Sequence, residues 1–135
     1  MINKVDHIGI AVPNLEEALQ TYRDVLGLEL EEFETVEEQK VRVAKLKGGP
    51  DTIELLEPTE PDSPIGKFLE KRGGGIHHIC LAVDDIDATL TRFKEKGLRL
   101  IDETPKIGAG GCRIAFVHPK SSGGVLIELS EKKSQ

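Results

Sequence analysis

An internal duplication constrains this chain more than any other feature. Residues 5–12, VDHIGIAV, and residues 75–83, GIHHICLAV, share one alternation of side chains, and His7 and His78 hold matching places in it. A period of two predicts two equivalent β-strands, each with two different faces. One face is bulky and apolar, and the other carries the histidine followed by small residues. Because small residues leave room for a ligand, this face is predicted to form a functional site.

The duplication continues beyond the histidine strands. A helix is predicted to begin at Asn14 in the first copy and at Asp85 in the second, and to end at Gly27 and Gly97. Further strands are predicted near residues 41–46, 52–56, 113–117 and 125–129. The first helix is expected to cover its strand with an apolar stripe made of Leu15, Ala18, Leu19, Tyr22 and Leu26.

The length of 135 residues suits one domain and not two ordinary independent ones. We therefore expect a single domain over residues 1–135, built of two half-domain repeats at about 1–60 and 74–131. Between them, Ser63 as N-cap and Pro64 at the first helical position predict a short helical linker.

Each half also carries a glutamate within its last apolar strand. Glu54 follows His7 by 47 residues (54 − 7), and Glu128 follows His78 by 50 (128 − 78). One such glutamate would ordinarily face water, but two at equivalent repeat positions indicate a shared purpose. Two histidines and two glutamates suit a divalent metal held through nitrogen and carboxylate oxygen, with positions left for substrate. Cobalt, manganese, nickel, iron, zinc and magnesium all fit this donor set.

Composition excludes several classes of function. The net charge of −6 argues against general nucleic-acid binding, and no apolar run approaches the roughly 20 residues of a membrane helix. Cys80 and Cys112 lack a CxxC spacing, so reduced thiols are favoured over a disulfide or a thiolate metal site. The first residues enter a strand directly, and we expect a cytoplasmic protein.

These residues resemble a known family. The duplicated layout with His and Glu ligands is similar to the vicinal oxygen chelate superfamily. More narrowly, DSPI from residue 62, the run at 75–83 with VDDI, PKIG from residue 105, HPK from residue 118 and GGVLIEL from residue 123 resemble the methylmalonyl-CoA epimerases. The resemblance implies an α+β fold of paired βαβββ modules, forming a cupped mixed sheet with helices on the outside.

The resemblance also implies an activity and roles for residues. It implies a metal-dependent epimerase that interconverts (R)- and (S)-methylmalonyl-CoA in propionate metabolism, by removing and returning the C2 proton through a metal-stabilised enolate. His7, His78 and Glu128 match metal ligands, and Glu54 stands where some relatives have a glutamine ligand. Glu54 and Glu128 are the predicted proton-transfer residues, whereas Val43 stands where one branch has a glutamate base. An acyl-CoA thioester substrate and a homodimer are expected.

Two other functions remain open at this stage. A glyoxalase I-type lyase uses a similar His/Glu metal site for proton transfer. A non-catalytic small-molecule-binding protein of the same fold is the alternative from another class, and such proteins usually lack the four ligands present here.

Overall fold

The computed structural model describes residues 1–132 and divides into two compact units, one of residues 7–77 and one of residues 1–6 together with residues 78 onward. In chain order the elements are β1 Ile2–Ala11, α1 Leu15–Leu19, β2 Glu29–Val36, β3 Val41–Gly48, β4 Asp51–Pro58, α2 Pro64–Arg72, β5 Gly75–Val83, α3 Ile86–Glu95, β6 Lys106–Ile107, β7 Arg113–Val117 and β8 Ile127–Glu131.

The unit of residues 7–77 contains a mixed sheet in the order β2-β3-β4-β1. Strands β1 and β4 run parallel, and the other neighbours are antiparallel. Helix α1 packs on the apolar face that the period-two pattern predicts. Its core there comprises Val12, Leu15, Leu19, Ala44, Leu46 and Leu55. The opposite face is thereby left to His7, Gly9 and Ala11.

The stripe predicted for the first helix is correct at its start and wrong at its end. Asn14 caps α1 by accepting a hydrogen bond from the Glu17 amide at 3.0 Å, and Leu15 and Leu19 are buried. A π-helical segment, Gln20–Val25, then follows, with the Leu26 amide donating to the Thr21 carbonyl. The wider turn shifts the helical register, so Leu26 points outward and is 62% exposed.

The second unit repeats this arrangement with β5-β8-β7-β6. Strands β5 and β8 run parallel, and α3 covers their apolar face. Asp85 caps α3 as predicted. Strand β8 begins at Ile127, two residues later than the predicted start at 125, because residues 123 and 124 are glycines with positive φ that extend the preceding turn. The second unit has the two-residue strand β6 at the place where the first unit has the eight-residue strand β2.

A second pair of glutamates fixes each helix to its sheet. The Leu15 amide donates to Glu57 Oε2 at 2.8 Å, and the Ile86 amide donates to Glu131 Oε2 at 2.8 Å. Each of these glutamates lies three residues after the predicted site glutamate of the same strand. Both contacts satisfy a free amide at a helix N-terminus with a negative charge, which the helix dipole also favours.

The predicted fold class is confirmed: the chain is α+β, with two βαβββ modules that each form a mixed sheet. The helix predicted to begin after Ser63 is present as α2, with the Ser63 hydroxyl accepting from the Gly66 amide. Neither Cys80 nor Cys112 forms a disulfide. Among residues 1–132, none of the helices has the length and apolar character needed to cross a membrane.

Candidate metal centre

In the unit of residues 7–77, the predicted ligands His7 and Glu54 lie side by side. His7 Nδ1 is 3.4 Å from Glu54 Oε2. Both residues are buried, at 7% exposure each. Burying an ionisable group costs free energy unless the group has a polar partner. The contact between His7 and Glu54 gives each of these buried groups such a partner.

The second unit holds the matching pair. His78 Nε2 is 3.0 Å from Glu128 Oε1, and the two residues are 5% and 8% exposed. The edge of the Phe116 ring meets the His78 ring, with centroids 6.1 Å apart at an interplanar angle of 90°. This aromatic contact restricts the orientation of the imidazole.

The sheet registers show that the two pairs are equivalent residue for residue. In the parallel pairing of β1 and β4, Glu54 is level with Gly9, which lies two residues after His7. In the parallel pairing of β5 and β8, Glu128 is level with Cys80, two residues after His78. Each candidate histidine therefore lies beside the candidate glutamate of its own unit, at the same register position.

The distances within the pairs fit metal ligation. Two ligand atoms bound at about 2.1 Å to one ion lie about 3.0 Å apart at a right angle and about 3.4 Å apart at the tetrahedral angle. The observed separations of 3.0 and 3.4 Å fall at these values. Imidazole nitrogen with carboxylate oxygen is also a donor set that divalent transition metals accept. The same separations occur in a histidine–carboxylate ion pair, and each pair brings one nitrogen and one oxygen donor together.

One residue of this face was not singled out from the sequence. Lys45 on β3 lies directly across from Glu54 on β4, and its ammonium contacts Glu34 Oε1 at 3.2 Å and Glu32 Oε1 at 3.4 Å. Burial alone would lower the pKa of Lys45. The hydrogen bond to Glu34 and the charges of Glu54, Glu34 and Glu32 outweigh burial, and the pKa of Lys45 is raised.

The corresponding place in the second unit is held by Phe116, which lies across from Glu128. Lys106 Nζ lies 5.1 Å from the centroid of the Phe116 ring and 3.3 Å from Asp102 Oδ1. Asp102 in turn accepts a hydrogen bond from the Phe116 amide at 2.8 Å. The strand neighbour of the site glutamate is therefore a cation in one unit and an aromatic ring in the other.

The resemblance predicts that Val43 stands where one branch of the family has a glutamate, and Val43 is buried in the same sheet as Lys45. Its strand neighbours are Glu34 on β2 and Leu56 on β4. A valine has no group that can accept a proton, so any carboxylate acting near this position must come from another residue.

Sequence reasoning missed Lys45 because a lysine alternating with Ala44 and Leu46 is the ordinary pattern of a strand with one solvated face. The available signal was the repeat itself. Aligning Glu54 with Glu128 and following each hairpin back by the strand pairing makes Lys45 the counterpart of Phe116.

Comparison with known proteins identifies the family. Residues 6–116 match the model of the Glyoxalase/Bleomycin resistance protein/Dioxygenase superfamily. The ethylmalonyl-CoA/methylmalonyl-CoA epimerase of Cereibacter sphaeroides is 44% identical, over 97% of this chain and 99% of its own.

Solved structures agree with this relationship. The methylmalonyl-CoA epimerase of Mycobacterium tuberculosis is similar with a TM-score of 0.93 and 42% identity, covering 98% of this chain and 90% of its own. A methylmalonyl-CoA epimerase in complex with methylmalonyl-CoA and NH4+ has a TM-score of 0.92 and 41% identity, covering 99% and 97%. The chain belongs to the methylmalonyl-CoA epimerase family of the glyoxalase, or vicinal oxygen chelate, superfamily.

Proposed function

We propose that this protein interconverts (R)- and (S)-methylmalonyl-CoA by removing the proton at C2 and returning it to the opposite face. The observation that carries the proposal is the presence of two buried His–Glu pairs at equivalent repeat positions in a member of the epimerase family. The complex of a 41% identical epimerase with methylmalonyl-CoA supports an acyl-CoA thioester as the substrate.

In this proposal His7, Glu54, His78 and Glu128 hold one divalent metal ion together. The argument is the equivalence of the pairs and the fit of each to metal ligation. When bound, the ion would hold substrate oxygens and offset the negative charge that develops on the thioester oxygen. The donor set admits cobalt, manganese, nickel, iron, zinc or magnesium, and metal titration of the purified protein would distinguish them.

The chain's own residues supply the proton transfer. A carboxylate takes the C2 proton, the electrons of the C2–H bond enter the enolate, and a protonated carboxyl group returns a proton to the other face. Reversal of configuration requires groups on both faces of the planar enolate. Glu54 and Glu128 belong to different modules, and we assign one face to each.

The test compares Glu54→Gln with Glu128→Gln. Glutamine keeps the shape and one ligand oxygen but cannot accept the proton. Glu54→Gln should retain metal while epimerisation falls by about 10²–10⁴-fold, the range for general acid–base catalysis. Glu128→Gln should weaken both metal binding and turnover.

Exchange of the C2 proton with deuterated solvent, started from each pure epimer, adds a directional measurement. Loss of one carboxylate should block exchange from one epimer more than from the other. Near-normal turnover of Glu54→Gln with metal bound would exclude the two-glutamate scheme. The same preparations, offered the hemithioacetal substrate of a glyoxalase I-type lyase, should give no product.

We further propose a cytoplasmic homodimer. The absence of a disulfide at Cys80 and Cys112 supports a reducing compartment. Exposed apolar side chains on the first strand, Ile2 and Val5, favour association with another protein surface. Light scattering at micromolar concentration should give twice the mass of the chain, and a monomer mass would exclude the dimer.

A further inference from the structure

We propose that Arg99, His118 and Lys120 form a binding site for the phosphate groups in the coenzyme A portion of the substrate. This inference rests on the proposed function, because it takes an acyl-CoA thioester as the substrate, and it adds contacts away from the reacting carbon. The sequence HPK at residues 118–120 supplies two of the three side chains, and no step of the proton transfer uses them.

The first support is that His118 lies on the same face of the second unit as Glu128. Phe116 on β7 is directly across from Glu128 on β8, and the side chains of such a pair share a face. The backbone stays extended at His118, with φ −65° and ψ 134°, and residues two apart in an extended chain point to the same side. Val117 between them is buried in the core beneath α3, so His118 faces away from the helix, as Phe116 does.

Arg99 is brought level with His118 by a short antiparallel contact. Leu100 forms a β-bridge with Val117, and the His118 amide donates to the Arg99 carbonyl at 2.9 Å. Leu100 packs against the same core as Val117, so alternation directs Arg99 to the face of His118. The Arg99 amide donates to Ser121 Oγ at 2.8 Å. Both polar groups of the Arg99 backbone are thus tied to the turn that begins at His118.

The second support is that the two cations have no acidic partner. Within residues 1–132, neither the Arg99 guanidinium nor the Lys120 ammonium forms an ion pair, although the chain has 24 acidic residues against 18 lysines and arginines. Burial, and then the charges of Arg99 and Lys120, lower the pKa of His118, so both cations lie near its ring. Like charges held close together repel, and a bound anion would offset this repulsion.

His118 contributes a hydrogen-bond donor to the cluster. Its Nδ1 accepts from the Lys120 amide at 3.1 Å, which leaves the proton of the neutral ring on Nε2. The lowered pKa of His118 favours this neutral form. The Nε2–H group and the planar guanidinium of Arg99 both donate well to phosphate oxygens, and Lys120 adds a compact positive charge. An anion with several oxygens is the ligand that this set of donors fits.

The location of the cluster suits an acyl-CoA. The pantetheine arm separates the phosphates of this substrate from its thioester, so the phosphates bind away from the reacting carbon. His118 and Arg99 share a face with Glu128 but lie beyond Phe116, past the end of β7. A substrate with its thioester near Glu128 would therefore have its phosphate-bearing portion available to this cluster.

The test compares two thioesters of methylmalonate, one with coenzyme A and one with pantetheine, which lacks the phosphates. Arg99→Met should lower kcat/KM for the CoA thioester about tenfold, because a charge-assisted hydrogen bond to phosphate is lost. Lys120→Met should lower it about threefold. For the pantetheine thioester, both variants should stay within about twofold of the original protein. Damage to the fold or to proton transfer would instead affect both thioesters equally.

Two further variants serve as controls. Arg99→Lys retains the charge and should recover kcat/KM for the CoA thioester to within about threefold of the original protein. Arg92→Met is matched, because Arg92 is also exposed and forms no ion pair in the part of the chain that the structure describes. Arg92 lies on α3, which covers the opposite face of the sheet, so its substitution should change kcat/KM for neither thioester.

Equal losses on both thioesters, or no loss on the CoA thioester in either methionine variant, would overturn the inference. The second result is also the one expected of a cluster that binds only free phosphate. An original protein that turns over neither thioester with any divalent metal would instead overturn the proposed function. Calorimetric titration of metal-free protein with desulfo-coenzyme A would still test the site. Arg99→Met should bind this compound about tenfold more weakly than Arg92→Met, and equal affinities would overturn the inference.

Discussion

Addition of a divalent metal to metal-free protein tests whether the two His–Glu pairs share one ion. An ion that binds only the folded chain stabilises it by RT ln(1 + [L]/Kd), which is about 2.7 kcal/mol at a free concentration of about 100 times Kd. A shared ion requires both modules to be folded, so its binding free energy opposes the unfolding of either module.

The expected shift in melting temperature follows from the chain length. Unfolding entropy is about 2.1 cal/mol/K per residue near 60 °C, which gives about 0.28 kcal/mol/K for 135 residues. A stabilisation of about 2.7 kcal/mol therefore raises the melting temperature by about 10 °C. Differential scanning calorimetry with and without cobalt measures this shift, and elemental analysis after desalting gives the stoichiometry.

The variants His7→Ala and His78→Ala separate one shared ion from two separate ions. A shared site predicts one ion per chain, and both variants should lose stoichiometric retention and most of the thermal shift. Separate sites predict two ions per chain, with each variant losing one. His118→Ala is the control, because this ring accepts a hydrogen bond from the Lys120 amide and is not a predicted ligand. Two ions per chain, or full retention in both variants, would refute the shared site.

Other predictions concern the fold around the site. Glu57→Ala and Glu131→Ala should each lower the unfolding free energy by about 1–2 kcal/mol in urea titrations, since each leaves a helix-terminal amide without its charged acceptor. Gly66→Ala should destabilise by about 1–3 kcal/mol or more, because the new Cβ would lie 2.4 Å from the Pro61 carbonyl oxygen, and a melting temperature within about 1 °C of the original would contradict this. The raised pKa of Lys45 means that its stabilising contribution is present below its unfolded pKa and is lost as pH rises through its folded pKa. The difference in stability between the original protein and Lys45→Met should therefore be constant from about pH 7 to 9 and shrink above pH 10.5, and a difference that grows there would contradict the assignment.

The sequence was informative wherever two independent patterns agreed. Period-two alternation defines the faces of a strand, and the repeat states which positions on those faces are equivalent. Together they singled out His7 and Glu54 in the first half and His78 and Glu128 in the second as candidate ligands. In the structure the histidine and glutamate of each half are 3.4 and 3.0 Å apart, respectively. That these pairs bind a single ion stays a prediction.

The sequence failed where local backbone geometry or strand pairing decided the outcome. A π-helical segment contains the same kinds of apolar residue as an α-helix. The sequence therefore could not show that Leu26 faces solvent. Lys45 was missed because its place beside the site depends on its strand neighbour, Glu54. Pairing between strands is a tertiary property, and the alternation of one strand alone cannot state it.

The spacing of the glutamates links the site to the helices. Glu54 and Glu57 on β4 are three residues apart, as are Glu128 and Glu131 on β8. An odd spacing places the members of each pair on opposite faces of their strand. One carboxylate therefore meets the histidine, and the other accepts from the first amide of the covering helix.

This arrangement favours one strand register for β4, and that register determines where the Glu54 carboxylate lies. A one-residue slip of β4 would turn every side chain to the other face and put Glu54 beneath α1, where Leu55 now fills the apolar core. It would also remove the acceptor of the Leu15 amide and separate Glu54 from both His7 and Lys45. The packing of the helix, its N-terminal hydrogen bond and the contacts of the site all favour the same register, so a stable module is also one with its glutamate beside its histidine.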